Sequence, residues 1–331
     1  MVSLTYLPAV GGLEKVMSGL AYKWSKEHEI IVFTKNKSSI NDELYPYKII
    51  REFSLYTLYK TVRSADIYLE ANISLHTAFV GLMQNKKWWV VHHLLYKTQG
   101  VLSYLKLFLT FFSKNISVSS FVANGLWGKS KVIYNFVDPS FKNLLIKRKE
   151  NTLLYVGRLV SDKGLDVLLA AISHLKSTGI IMNLTIAGKG PDEKYLYEKA
   201  LQLNILTQIK FLGIVEGEQL INVLNEHKVV VVPSKWQEPF GLVAIEALAC
   251  GCRVVYSNAG GLPEAAGKFS FGYNNNSMIE LCNSIKDAIE TPITKDEQIE
   301  IEAHLNLLHI DHVSKEYIEM FQNKLNTNIL V

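Results

Sequence analysis

Cysteine is nearly missing: three residues in 331, Cys250, Cys252 and Cys282, all in the second half. That excludes a disulfide framework, and the Cys250-x-Cys252 spacing is too short for a redox or zinc pair. Small buried residues in a reducing compartment are expected instead. No apolar run approaches the roughly 18 residues a spanning helix needs. The most apolar stretch, 101–112, is interrupted by Lys106. No basic region followed by an apolar segment opens the chain, so no signal peptide is expected and the protein is placed on the cytoplasmic side. Internal repeats and low-complexity tracts are absent too. A hydrophobic content of 48% against 20% charged residues excludes a disordered chain, and the length suffices for two domains with separate cores.

Net charge is small at +4 but unevenly spread. Residues 1–150 hold 20 Lys and Arg against 10 Asp and Glu, whereas 151–331 hold 15 against 21. A basic half beside an acidic half suggests a different partner for each.

Apolar strand-like runs alternate with helical patterns, the signature of parallel α/β layers. In the first half, strands are expected at 2–6, 30–34, 67–70, 88–91, 116–118 and 131–134, with a clear helix over 13–27. In the second half, strands at 152–156, 183–187, 209–212, 229–232 and 253–256 alternate with helices at 165–176, 191–203, 217–225, 242–249 and 277–290. Pro139 and the cluster Lys147-Arg148-Lys149-Glu150 mark a linker, giving domains 1–140 and 152–310 joined by 141–151. A terminal helix over 312–325 belongs to a last segment, 311–331, that is free to pack back toward the first domain.

The most informative segment runs from Pro233 through Glu238-Pro239-Phe240-Gly241 to Gly251. A strand buried on both faces ends, the chain turns, and a helix begins that Gly251 stops. Glu238 sits at the helix mouth and Glu246 about two turns in. Between them the N–H groups of Gly241, Leu242 and Val243 carry the positive end of the helix dipole. Such a helix start holds phosphate, and the flanking carboxylates accept hydrogen bonds from hydroxyls. A nucleotide sugar offers that chemistry.

Arg158 and Lys163 flank the loop after strand 152–156, at the strand edge where doubly wound sheets bind ligands. They suit a diphosphate leaving group, in place of a metal; the plain alternative is a solvated loop. Gly188-Lys189-Gly190-Pro191 permits close backbone approach to a base or ribose, or is an ordinary tight turn. Gly11-Gly12 opens a helix and allows the same approach to an anion or sugar, or is a flexible loop. His92 and His93 end strand 88–91, and at least one is expected to face the crevice. The segment 94–114 combines many large apolar residues with Lys97, Lys106 and Lys114. It reads either as an interfacial helix on an anionic membrane or as a helix of the first domain's core.

Taken in order, these motifs resemble the retaining glycosyltransferase family 4 of GT-B architecture, over nearly the whole chain. The resemblance rests on Gly11-Gly12-Leu13-Glu14, the strand ending at His92, Ser117-Val118-Ser119-Ser120 and Asn135-Phe136-Val137-Asp138. It continues through Gly157-Arg158 with Lys163-Gly164, Gly188 to Pro191, the Glu238/Glu246 pair, and Gly260-Gly261-Leu262-Pro263-Glu264. It implies two Rossmann-like parallel-sheet domains facing a central cleft. Arg158 and Lys163 would hold the donor diphosphate, Glu238 the transferred sugar, and Glu246 the ribose. Gly188 and Gly190 belong to the donor site, and amides from Phe240 to Val243 complete its phosphate part. Gly11 and Gly12 would close over the donor, and His92 would face the reacting carbon. Where the family has Asn-Gly-Val-Asp, this chain has Phe136 in place of glycine, so the backbone there is expected to differ.

The implied function is transfer of a hexose from a nucleotide-diphosphate sugar, with retention of configuration and without metal or resident cofactor. The expected acceptor is a lipid-linked or cell-surface glycan, and nucleic acid is not an expected partner. The work is placed at the cytoplasmic face of a membrane, with an anionic membrane surface as a further partner. The alternatives are an epimerase or phosphorylase on the same architecture and a non-catalytic subunit. Neither the acid–base pattern of the first nor a pyridoxal-phosphate lysine for the second is evident, and intact Arg158, Lys163, Glu238 and Glu246 argue against the third.

Overall fold

A computed structural model of the chain describes residues 1–9, 11–38, 41–84, 88–96, 100–275 and 277–326. It divides into two compact units, Met1–Phe136 with Leu308–Val331, and Val137–Leu307.

In the first unit the elements are α1 (Gly12–Trp24), β1 (Ile31–Thr34), β2 (Lys48–Arg51), α2 (Leu55–Ser64), β3 (Tyr68–Ala71) and α3 (Ala78–Met83). They continue with β4 (Trp88–His92), α4 (Val101–Leu109), β5 (Lys114–Ser117), α5 (Ser120–Asn124) and β6 (Ser130–Val132). All strand pairs are parallel. The strand expected over 2–6 is reduced to a single bridge at Val2. That bridge joins Phe33 on one side to Glu70 on the other and so links β2-β1 to β3-β4-β5-β6. Val2 lies where the strand order reverses, which makes its C-terminal side the switch point of a doubly wound sheet. Every residue of β4 is buried, as a central parallel strand requires. β5 begins two residues before its expected start, because Lys114 pairs with Trp89.

The second unit holds β7 (Lys149–Val156), α6 (Leu165–Ser177), β8 (Asn183–Ala187), α7 (Glu193–Gln202), β9 (Ile209–Gly213), α8 (Gly217–Glu226) and β10 (His227–Val232). After these come α9 (Leu242–Ala249), β11 (Arg253–Ser257), α10 (Leu262–Ala266), β12 (Phe271–Tyr273), α11 (Met278–Glu290) and α12 (Lys295–Leu307). The sheet is parallel throughout, in the order β12-β11-β10-β7-β8-β9. Its switch point lies between β7 and β10, so the loops after those two strands lie together. Leu165, Leu168, Leu169, Ile172 and Leu175 recur at helical spacing, which buries one face of α6 against the sheet.

The stretch expected as a linker, 141–151, is built into this second unit. Asn225, fully buried, accepts from the Leu144 N–H (2.7 Å) and donates to the Lys142 carbonyl (3.0 Å). Arg148 donates to the carbonyls of His227 (2.6 Å) and Cys250 (2.5 Å), and Lys149 already belongs to β7. The last helix, α13 (Ile310–Asn326), packs on α1, where Trp24 Nε1 donates to Ser314 Oγ (3.0 Å) and Phe321 meets Trp24 and Trp89 edge-on.

Candidate active site

The loops after β7 and β10 are joined by hydrogen bonds. The Asp162 carbonyl accepts from the N–H groups of Lys235 (2.8 Å) and Trp236 (2.9 Å). Gly164, at φ +70°, passes so close to strand β10 that a Cβ there would lie 1.9 Å from the Pro233 carbonyl oxygen. Only glycine combines that dihedral with that approach. The result brings together two residues 75 positions apart: Lys163 Nζ donates to Glu238 Oε1 at 2.5 Å. The pair is 21% and 16% exposed, open to a ligand yet shielded from bulk screening.

Glu238 is further fixed by Ser234, whose Oγ donates to the same carboxylate oxygen at 2.8 Å, while the Ser234 carbonyl accepts from Ser257 Oγ at 2.6 Å. On the other side Gly260 bridges Glu238, and the Gly261 N–H donates to the Glu238 carbonyl at 2.6 Å. A second ion pair, Lys235 to Asp166 at 2.7 Å, ties the same loops together. Ser234, Ser257 and Asp166 carry no signature that sequence spacing could single out, whereas Gly260 belongs to a motif already noted. Their positions follow from the β7–β10–β11 adjacency.

Past Glu238 the chain enters α9. Phe240 is buried to 2%, so its side chain belongs to the core and only its backbone is available to a ligand. Gly241 caps the helix at φ +125°, and Leu242 and Val243 supply first-turn N–H groups that have no acceptor in a preceding turn. Glu246 is buried inside α9, a little over one turn from its start.

Gly188 and Gly190 follow β8 and press on the loop of Arg158. A Cβ on Gly188 would lie 1.8 Å from the Gly157 carbonyl oxygen, and one on Gly190 would lie 2.2 Å from that of Leu159. Leu159 and Lys189 are joined by a backbone hydrogen bond. Arg158 itself is exposed, with its carbonyl held by Tyr155 Oη (2.8 Å). Arg158, Lys163, Gly188, Gly190, Glu238 and Gly241 to Val243 therefore share the C-terminal edge of one sheet. Among the described residues no three His, Cys, Asp or Glu side chains gather as a metal-holding group.

In the first unit the expectation for His92 needs correction. It is fully buried with both ring nitrogens engaged, Nδ1 with Tyr96 Oη and Nε2 with Asn115 Oδ1, each at 2.9 Å. Burial pushes its pKa down to about 4, so the ring is neutral. Both ring nitrogens are thus engaged within the first unit. His93 follows the end of β4; its Nε2 is buried without a hydrogen-bond partner among the described residues, and burial pushes its pKa down to about 3. Gly12 begins α1 with Gly11 as its cap. Ser119 caps α5 by accepting from the Val122 N–H, and Ser117 bonds Ser130. Phe136 needs no glycine-like dihedral, and its ring fills the space over Gly19 of α1, where a Cβ would lie 2.4 Å from it.

A family profile described as glycosyl transferases group 1 matches residues 137–304, just over half of the chain and nearly all of the second unit. The chain belongs to that family. This group 1 glycosyltransferase is 36% identical over 156 residues to glycogen synthase of Mycobacterium tuberculosis, a match covering 46% of the chain and 37% of that protein. It is 39% identical over 119 residues to D-inositol 3-phosphate glycosyltransferase of Mycolicibacterium smegmatis, covering 35% and 27%. The matched regions thus span well under half of these curated relatives. Among solved structures, a glycosyltransferase from Rickettsia africae superposes with a TM-score of 0.81 at 17% identity, covering 98% of both chains. Anabaena HepE, in complex with UDP and glucose, gives 0.75 at 18% identity over 97% and 98%. At such identities the likeness concerns the fold, which is GT-B with two Rossmann-like units.

Proposed function

We propose that this group 1 transferase moves a hexose from a nucleotide-diphosphate sugar to a lipid-linked or cell-surface glycan acceptor, with retention of configuration. The observation that carries the reading is the Lys163–Glu238 pair set between the β7 loop and the start of α9. A donor diphosphate takes Lys163 and Arg158 as counter-charges and the first-turn amides of α9 as hydrogen-bond donors. Glu238, released from Lys163 and still oriented by Ser234, accepts hydroxyls of the sugar. Glu246 serves the ribose. UDP is the first nucleotide to test, because HepE is described in complex with it.

In the transfer step the bond between the anomeric carbon and the phosphate oxygen breaks, and its electron pair stays on that oxygen. An acceptor hydroxyl bonds to the same face of the oxocarbenium-like carbon and gives its proton to the departing phosphate. Lys163 and Arg158 offset the charge that develops there, in place of a metal ion, and no resident cofactor is required. The work is placed at the cytoplasmic face of a membrane.

Incubation with UDP-, GDP-, ADP- and TDP-sugars and a panel of lipid-linked and free glycans, followed by mass spectrometry, tests the reading. A product heavier by one hexose and bearing the donor's anomeric configuration is expected. Inverted configuration would overturn retention, and epimerised donor without any glycoside would overturn the transferase reading.

A further inference from the structure

The first unit carries an apolar surface that its own core does not use. Apart from Ser103 and Lys106, α4 is apolar: Leu107 and Leu109 are buried, yet Val101 and Leu102 on its outer face are 81% and 67% exposed and Leu105 is exposed too. Large apolar residues on the outer as well as the buried side of one helix suit a second apolar phase against the outer side. The outer face continues without a break. Tyr104 stacks toward Trp127 at 6.1 Å, Trp127 toward Phe111 at 6.3 Å, and Phe111 and Phe112 toward Phe108 at 6.3 and 5.2 Å. All five rings are 43–58% exposed, so they form one open aromatic patch. A contiguous patch of this kind marks an interaction surface.

The charge around it selects the partner. Residues 71–137 contain seven lysines and not one Asp, Glu or Arg. Lys129 and Lys131 are exposed beside Trp127 in the chain, and Lys106 lies on α4 itself over the Tyr96 ring. A second copy docking through the same patch would set these lysines against their own counterparts, like charge facing like. An anionic lipid surface offers the opposite sign, a polar zone in which Trp and Tyr rings are favoured, and an apolar interior for Leu and Phe.

We propose that the outer face of α4, continued by Phe111, Phe112 and Trp127, docks this protein on an anionic lipid bilayer. This deepens the acceptor side of the proposed function and rests on it for its purpose, since a docked enzyme meets lipid-linked acceptors in the plane of the membrane.

The test uses the full chain with vesicles of phosphatidylcholine, with and without phosphatidylglycerol, at low and high salt. Co-sedimentation with the phosphatidylglycerol vesicles is expected, weakening as salt rises. Trp127 emission should shift to the blue and lose that shift in Trp127→Phe, since Trp24, Trp88 and Trp89 are buried and Trp236 is half-buried. Lys129→Glu with Lys131→Glu should weaken binding about tenfold or more, and Phe108→Ser with Phe111→Ser should abolish it. The charge reversal involves only exposed side chains, so it remains informative should the aromatic variant misfold. Absence of vesicle binding at low salt, equal binding without phosphatidylglycerol, or insensitivity to the lysine reversal would each overturn the proposal. A dimer in solution that the aromatic variant dissolves would assign the patch to a second copy instead. A nucleotide-sugar melting shift is recorded on the same preparation. If that shift persists while vesicle binding fails, docking alone falls; if the shift is missing, the transferase reading falls.

Discussion

At Glu238 the carboxylate has two donors, Lys163 and Ser234, and only one of them is a group that a diphosphate would take away. Lys163→Ala and Glu238→Gln are each expected to lower turnover by about 10²–10³, the scale of removing one preorganised charge-stabilising group. Circular dichroism should be unchanged, because both side chains lie at a loop edge. Glu70 makes a different kind of prediction. Its carboxylate is buried, accepts from Thr77, Trp88 and Tyr68, and is pushed by burial from the usual 4.5 up to about 7. A raised folded-state value means that its contribution to stability is full below pH 4.5 and is lost as pH rises through 7. Glu70→Gln should therefore gain stability relative to the wild type on going from about pH 5 to about pH 8, by on the order of 2 kcal/mol, measured by urea unfolding at both values. His92 and His93 act with the opposite sign: their lowered values give stability that is full above 6.5 and is lost as pH falls toward 4. Of these residues, Glu238 and Lys163 were legible because each closes a strand with a recognisable turn. The choice between His92 and His93 was not, since neighbouring strand residues point to opposite faces and only the partners decide which is free.

The elements around the donor site depend on glycine more than on any side-chain contact. Gly188 holds φ +151° with its α-carbon against the Gly157 carbonyl, and Gly164 and Gly260 make comparable approaches. Gly188→Ala should cost about 1–3 kcal/mol from backbone strain alone, with steric displacement of the Arg158 loop added to it. The expected readouts are a lowered melting temperature and a raised Kd for the donor. These turns were visible in the sequence as glycines between an apolar run and a helix, and α9 was legible to the residue at both ends. Other elements were harder to read. The first strand shrinks to Val2, the one residue there that bridges both neighbours, while Ser3 and Leu4 bond only toward Phe33 and Lys35; β2 and β12 are short edge strands with weak alternation. Helix α4 could not be assigned to core or surface from composition, because both of its faces are apolar.

For the whole molecule, the uneven charge of the two halves maps onto the two units. The acidic C-terminal half, almost all of it in the second unit, carries the candidate donor site, and the basic first unit carries the lysine-flanked aromatic patch. The sequence placed a linker at 141–151, whereas Asn225 and Arg148 draw that stretch into the second unit; such long-range hydrogen bonds leave no trace in local composition. The central claim is that the second unit binds a nucleotide sugar through Lys163 and Glu238. Thermal unfolding against UDP-, GDP-, ADP- and TDP-sugars tests it most directly, since ligand at 100 times its Kd adds roughly 2.7 kcal/mol. A rise in melting temperature with one nucleotide series, lost in Lys163→Ala, is the predicted result. No rise with any of the four, or an equal rise in Lys163→Ala, would contradict it.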